Sequence, residues 1–238
     1  MKASGLQTGL IMIIFTSLPV LSQAQTTFPI QSFREHVQVI QDGEQVTLLS
    51  DGVPDHKSPY FSRRDSRFEV YNGSNPNFRQ NPNSIREQDF TMVIPSRPKK
   101  AMVHQRTSLG PIGMALNGVA LFNQFAGPND RPLTDEIDSF DQYNGHPERR
   151  GMYHYHVEPL ALTQGARNRL IGYLLDGFPV YGPMENGRLV ASDDLDEFHG
   201  HIHATKEYPE GIFHYHVTAD APYINGGEFY GEPGTLIR

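Results

Sequence analysis

Short runs in which apolar and polar residues alternate make up most of the chain, and Gly, Pro, Asn and Asp separate them. A period of two is typical of half-buried β-strands, whose successive side chains point to opposite faces of a sheet. Short helices are expected only over 134–141 and 192–198, with Thr134 and Ser192 as N-caps. The pattern therefore predicts a mainly β protein with few short helices. The predicted strands cover residues 36–40, 45–50, 68–71, 90–94, 112–116, 119–122, 153–157, 171–175, 178–181 and 213–217.

Three blocks of sequence occur twice, in the same order and at offsets of 59, 55 and 60 residues. Constant order and near-constant offset indicate a tandem duplication. We predict two homologous β-rich repeats, about 112–165 and 171–224, related by a pseudo-two-fold axis. An N-terminal β region, residues 25–100, is expected to pack as one domain with the duplicated region, residues 101–238. The paired blocks are 112–122 with 171–181, 138–146 with 193–201, and 151–157 with 211–217.

The first 24 residues have the pattern of a signal peptide. Lys2 precedes an apolar run over 10–21 that is too short to span a membrane, and Ser22-Gln23-Ala24 offers small residues for cleavage. Cleavage would leave 214 of the 238 residues. Because no later run is apolar enough to span, a secreted or periplasmic protein without a transmembrane segment is expected.

The chain contains no cysteine and carries a formal net charge of −7. Disulfides, thiolate metal sites and a cysteine nucleophile are therefore excluded, and a transition-metal site would have to use imidazole, carboxylate or backbone oxygen. The only basic tract, Arg97-Pro98-Lys99-Lys100, is too short to favour a nucleic-acid partner. Serine-hydrolase elbows, phosphate-binding P-loops and dinucleotide fingerprints are absent from the sequence.

A His-Tyr-His string ends each repeat, and a Gly-His pair precedes each string. In a strand the two histidines of a string share one face, roughly 6.5 Å apart, and the tyrosine between them points to the other face. Each repeat therefore offers three imidazoles, a ligand set that catalytic zinc uses, and imidazole also suits copper, nickel and iron. The candidate metal ligands are His146, His154 and His156 in the first repeat and His201, His214 and His216 in the second.

The same histidines could instead satisfy buried hydrogen bonds between strands, because a duplication preserves structural residues as faithfully as ligands. Asp141 and Asp196, matched across the repeats, could accept an N–H from a ligand histidine and fix its tautomer. Asp176 could act as a general base beside a metal-bound water, or its role could be limited to stabilising the turn at Asp176-Gly177. The remaining candidates, for which loop positions are expected, are His56, His199 and His203.

Four separated motifs of the chain resemble the YHYH domain family, which is named for a string like Tyr153-His154-Tyr155-His156. The other three motifs lie at 52–56, 176–182 and 195–216. The resemblance covers most of residues 50–231. It implies an exported domain and does not imply a particular reaction.

The sequence thus predicts an exported YHYH-domain protein with a histidine-built metal site near the interface of the repeats. A divalent transition metal ion, zinc or copper, is the expected cofactor, and metalloenzyme activity of unknown reaction is left open. The alternative is a non-catalytic module that binds a small molecule or a cell-envelope component, with its histidines in structural roles. Convergence of the histidine nitrogens would favour the metal site, since Zn–N bonds are only about 2.0–2.1 Å long.

Overall fold

The computed structural model describes residue 1 and residues 28–237, so the predicted signal peptide and its cleavage site lie outside the described residues apart from Met1. The prediction of a mainly β protein is confirmed. Its strands are β1 (Gln38–Asp42), β2 (Gln45–Ser50), β3 (Phe90–Pro95), β4 (Pro111–Ala115), β5 (Ala120–Phe122), β6 (Phe125–Gly127), β7 (Arg131–Pro132), β8 (Gly145–Pro147), β9 (Tyr153–Tyr155), β10 (Leu170–Leu174), β11 (Pro179–Tyr181), β12 (Met184–Glu185), β13 (Arg188–Leu189), β14 (Gly200–His203), β15 (Ile212–His216) and β16 (Thr235–Ile237). The described helical elements are α1 (Leu160–Thr163) and the 3₁₀ turns Ile30–Ser32, Leu133–Asp135, Ile137–Ser139 and Ser192–Asp194.

Two kinds of element differ from the sequence-based expectation. Residues 68–71 form no strand, because Phe68 makes only an isolated bridge to Ser58 and Val70 is 71% exposed. The predicted helices shrink to 3₁₀ turns, and Thr134 and Ser192 lie inside these turns instead of capping them. The first segment ends early because Phe140 is extended (φ −72°, ψ 130°), and its ring packs among the histidines.

Eight strands form one large mixed sheet in the order β14-β15-β11-β10-β4-β5-β9-β8. Each half has an antiparallel hairpin whose second strand pairs in parallel with a His-Tyr-His strand, which in turn pairs antiparallel with a Gly-His strand. The two halves therefore share one strand order, read outward from the central pair β4–β10. The duplication and the superposition of the two halves remain predictions. Both predictions require the shared strand order that the sheet has.

The central pair β4–β10 is antiparallel and symmetric in register. Met114 faces Tyr173, and the flanking pairs place Gly113 opposite Leu174 and Gly172 opposite Ala115. A Cβ atom on either glycine would clash with a backbone carbonyl oxygen of the facing strand, so the close approach requires glycine. An axis through the Met114–Tyr173 pair, perpendicular to the sheet, places matched residues of the two halves on the same face.

A second sheet, in the order β1-β2-β3-β16, packs on one face of the large sheet. Its buried residues Val46, Leu48 and Met92 belong to the same core as Met114 and Tyr173 at the centre of the large sheet. The opposite face holds a separate apolar core, which contains Tyr153, Tyr155 and Tyr215 together with residues of the C-terminal loops. In the described part of the chain, no helix has the length and apolar character that crossing a membrane requires.

Candidate metal centres

The two His-Tyr-His strings divide their side chains between the two faces of the large sheet, as the alternation predicts. On the tyrosine face, the Tyr155 hydroxyl accepts from Asn117 Nδ2 at 3.2 Å, and the matched Tyr215 hydroxyl donates to Asp176 at 2.6 Å. These buried bonds hold each string in place from the side opposite the histidines.

The first group of histidines consists of His146, His154 and His156, all of them buried. The pairing of β8 with β9 sets His146 opposite His154, which brings their Nε2 atoms to 3.0 Å. The Nε2 atoms of His154 and His156 are also 3.0 Å apart. The three imidazoles named from the sequence therefore converge on one point, as a group that could hold a metal ion.

Hydrogen bonds on the far side of the rings assign the tautomers in this group. His154 Nδ1 lies 3.1 Å from the Met152 carbonyl oxygen, and His156 Nδ1 lies 2.5 Å from that of Asn123. A carbonyl oxygen only accepts, so both Nδ1 atoms carry the proton. In the neutral ring the Nε2 atom is then a bare acceptor that faces its neighbours.

His146 reaches the same tautomer through a hydroxyl. Its Nδ1 atom lies 2.6 Å from Ser139 Oγ, and that hydroxyl donates its own proton to the Glu136 carbonyl oxygen at 2.8 Å. With the hydroxyl proton on the Glu136 carbonyl oxygen, Ser139 Oγ accepts from Nδ1, and the Nε2 atom of His146 is then unprotonated as well. Three acceptor nitrogens then point at one another without a proton between them, an arrangement that a cation would stabilise.

The second group repeats this geometry with His201, His214 and His216. Their Nε2 atoms are separated by 3.1–3.2 Å. His214 Nδ1 donates to the Ile212 carbonyl oxygen at 3.1 Å and His216 Nδ1 to that of Gly182 at 2.9 Å. In both groups the nitrogen spacing is close to the ~3.3 Å that separates ligands on a tetrahedral ion with bonds of about 2.0–2.1 Å.

A carboxylate belongs to the second group and another lies near the first, and neither was found from the sequence. Glu185 Oε1 lies 3.3 Å, 3.6 Å and 3.7 Å from the Nε2 atoms of His201, His214 and His216. Glu136 Oε2 lies further from its group, 3.9 Å from His146 and 3.8 Å from His156. The two glutamates are not matched in the repeats, because Glu185 belongs to β12 whereas Glu136 lies between two 3₁₀ turns. Repeat alignment therefore gave no signal for them.

Burial lowers the pKa of His146, His154, His156, His214 and His216, which favours the neutral form that binds metal. Burial lowers the pKa of His146 to about 3 and that of His156 to about 4. Burial, with the neighbouring His216, lowers the pKa of His214 to about 4. Burial alone would raise the pKa of Glu185, but the surrounding histidines hold it below its ordinary value, so this carboxylate stays ionised.

The two centres differ in access. In the first, the Phe122 ring stacks on His154 at 3.9 Å between centroids, and the Phe140 ring covers His146 and His156. In the second, the side chain of His201 is 28% exposed, and an open cavity of about 580 Å³ reaches His214, His216 and Glu185. The first centre is enclosed, whereas the second faces solvent.

The predicted position of the site was wrong. The histidine groups lie near the two outer ends of the large sheet and not at the interface of its halves. Five strand spacings separate β9 from β15, which at ~4.8 Å each gives a distance of roughly 24 Å. Each group is therefore a separate candidate site.

Several secondary candidates also take other roles. His199 is buried and bonds Thr218 Oγ1 at 2.9 Å, so it is a structural residue and does not lie in a solvated loop. His203 is half exposed, with its Nδ1 atom 3.2 Å from Glu185 Oε1. The expectation that aspartates orient the ligand histidines was wrong, because backbone carbonyls do so. His56 bonds the Tyr155 hydroxyl, Asp141 accepts from Ser58, and Asp176 accepts from Tyr215, all on the tyrosine face. Asp196 accepts backbone N–H groups of its own turn.

A family model described as YHYH protein matches residues 91–188 and 184–227. The chain belongs to this family. In this YHYH protein the matched residues include all six histidines of the two centres and both glutamates. No curated protein and no solved structure gives a significant match to the chain.

Proposed function

We propose that this YHYH protein is an exported metalloprotein that binds two divalent transition metal ions, one at each histidine centre. The observation that carries the proposal is the convergence of three imidazoles in each centre, with Nε2 atoms 3.0 Å apart for two pairs in the first centre and 3.1–3.2 Å apart for all three pairs in the second. Because backbone carbonyls hold the Nδ1 protons of His154, His156, His214 and His216, the Nε2 atoms of these four rings are acceptors that a shared cation would stabilise. Zinc and copper are the candidate ions, since both accept imidazole and carboxylate.

The two centres suit different tasks. The enclosed first centre offers three imidazoles in a site walled by Phe122 and Phe140, which suits a structural ion. The second centre adds the ionised Glu185 and opens onto a cavity, which suits an ion that meets an external ligand. A metalloenzyme role would therefore belong to the second centre.

Elemental analysis tests the proposal directly. Protein purified without an affinity tag from its native compartment should contain two equivalents of divalent transition metal per chain, and His154→Ala and His214→Ala should each remove one. The His36→Ala variant is the control, because His36 Nε2 bonds the Asn117 carbonyl oxygen and His36 belongs to neither histidine centre. Metal-free native protein that also fails to take up added zinc or copper would contradict the proposal.

Export is part of the proposal and rests on the charged, apolar and small-residue pattern of residues 1–24. The mature protein is expected to begin at or near Gln25. Intact-mass measurement of protein from the culture medium or periplasm checks this, and retention of Met1 would contradict it.

A further inference from the structure

The cavity beside the second centre has the dimensions of a small-molecule site. Its volume of about 580 Å³ falls within the roughly 300–1,000 Å³ that ligand pockets occupy. Glu185, His214 and His216 form part of its wall. An ion held by these residues would therefore present its free coordination positions to the cavity.

The charges around the cavity favour an anionic occupant once a metal is bound. Arg169 and Lys206 line the cavity together with two carboxylates, those of Glu185 and Glu207. These four charges cancel, so a divalent ion leaves the cavity with a net charge of about +2 by this count. The neutral rings of His214 and His216 add nothing to this sum.

The two basic side chains are available to a ligand. Among the described side chains, the ion pairs of the chain involve neither Arg169 nor Lys206, and both residues are exposed. Glu207, in contrast, is engaged, because its Oε2 atom accepts the Tyr181 hydroxyl at 2.9 Å. The cavity thus combines a metal ion on one wall with free cationic groups that also line it.

We infer that the second centre binds a small molecule with two carboxylate groups, one coordinated to the metal ion and one held by Arg169 and Lys206. This inference rests on the proposed function, since the first carboxylate needs the metal. Arginine and a metal ion both favour planar carboxylate oxygens as partners. The first centre takes no such ligand, because Phe122 and Phe140 cover its histidines.

Calorimetric titration of the zinc-loaded protein at constant ionic strength tests the inference. Succinate and malonate are the probes, the uncharged diamide of succinate tests the need for charge, and sulfate tests the need for carboxylate. At least one dicarboxylate should bind the zinc-loaded protein with a stoichiometry of one per chain. The same dicarboxylate should bind the metal-free protein at least tenfold more weakly. The diamide should not bind, and sulfate should bind at least tenfold more weakly than the dicarboxylate.

Paired variants separate a specific contact from general charge. The double variant R169A/K206A should weaken dicarboxylate binding about tenfold or more. The matched variant R64A/R97A removes the same two charges from exposed positions outside this cavity and should leave binding unchanged. Equal weakening in both variants would overturn the inference.

The outcomes distinguish this inference from the proposed function. Zinc content is measured first in every variant. A protein that never takes up zinc contradicts the proposed function itself. A protein that holds two zinc ions but binds neither dicarboxylate, or binds sulfate as well as the dicarboxylate, overturns only the ligand assignment and leaves the metal centres standing.

Discussion

Metal-dependent thermal stability should divide between the two centres. An ion that binds only the folded state stabilises it by about 2.7 kcal/mol at one hundredfold excess over its dissociation constant. For a chain of this length, 1 kcal/mol moves the melting temperature by about 2–4 °C, so each centre should contribute ~5–10 °C. Because roughly 24 Å separates the centres, their contributions should add.

The assay compares melting by circular dichroism with zinc and with excess chelator. The wild type should show a zinc-dependent shift of ~10–20 °C, and His154→Ala and His214→Ala should each retain about half of it. His36→Ala should retain the full shift. The shift is measured against each variant's own chelated form, so a general loss of packing in a variant does not imitate the effect.

At the second centre, a gentler variant covers the case in which a buried substitution prevents folding. His146 and His201 occupy matched positions in the outermost strands, and His201→Ala removes a side chain that is already 28% exposed. Substitution of either histidine should also halve the zinc-dependent shift. If the full shift survived both His154→Ala and His214→Ala, the histidine groups would be packing devices and the reasoning from convergent nitrogens would be refuted.

Three further outcomes follow from the site geometry. Glu185→Gln should lower zinc affinity at the second centre about tenfold or more, whereas Glu136→Gln, further from its histidines, should change the first centre by less than threefold; competition with a zinc-binding dye measures both. In metal-free protein, burial holds the pKa of His156 at about 4, below its unfolded value of ~6.5, so the folded state binds fewer protons between these values. Denaturant titration should therefore show the free energy of unfolding falling as pH drops from about 6.5 to about 4, and an unchanged value would contradict the assigned burial. Tyr181→Phe copies the residue that stands at the matched position of the first half, and should cost about 1 kcal/mol through the lost bond to Glu207 while leaving zinc stoichiometry at two.

The histidine groups could be predicted because they follow from local geometry. A strand repeats its side-chain direction every second residue, so the shared face of His154 and His156 needed no knowledge of the tertiary fold. The added ligand His146 came from the repeated Gly-His pair. The pairing of β8 with β9 then brings it opposite His154.

The position of the centres could not be predicted, because it depends on which strands pair. The hairpin β4–β5 leaves two sides open to a third strand, and β10 occupies the side of β4. The His-Tyr-His strand β9 therefore pairs with β5 in parallel, and its histidines move outward from the central axis. Glu185 and Glu136 were missed for a related reason: they reach the centres from short, unmatched elements whose folding depends on long-range contacts.

One ligand of each centre, His146 or His201, comes from β8 or β14, the outermost strands of the large sheet. A terminal strand has a neighbour on one side only, and such edges tend to fray and to recruit other chains. A coordinated ion would tie each outermost strand to the adjacent strand by a bond between side chains, in addition to the backbone ladder. Hydrogen exchange of amides in β8 and β14 should then report metal release, while the centre of the sheet stays protected. Removal of the metal by a chelator would therefore leave both edges of the large sheet free to pair with other chains, while the rest of the protein stays folded.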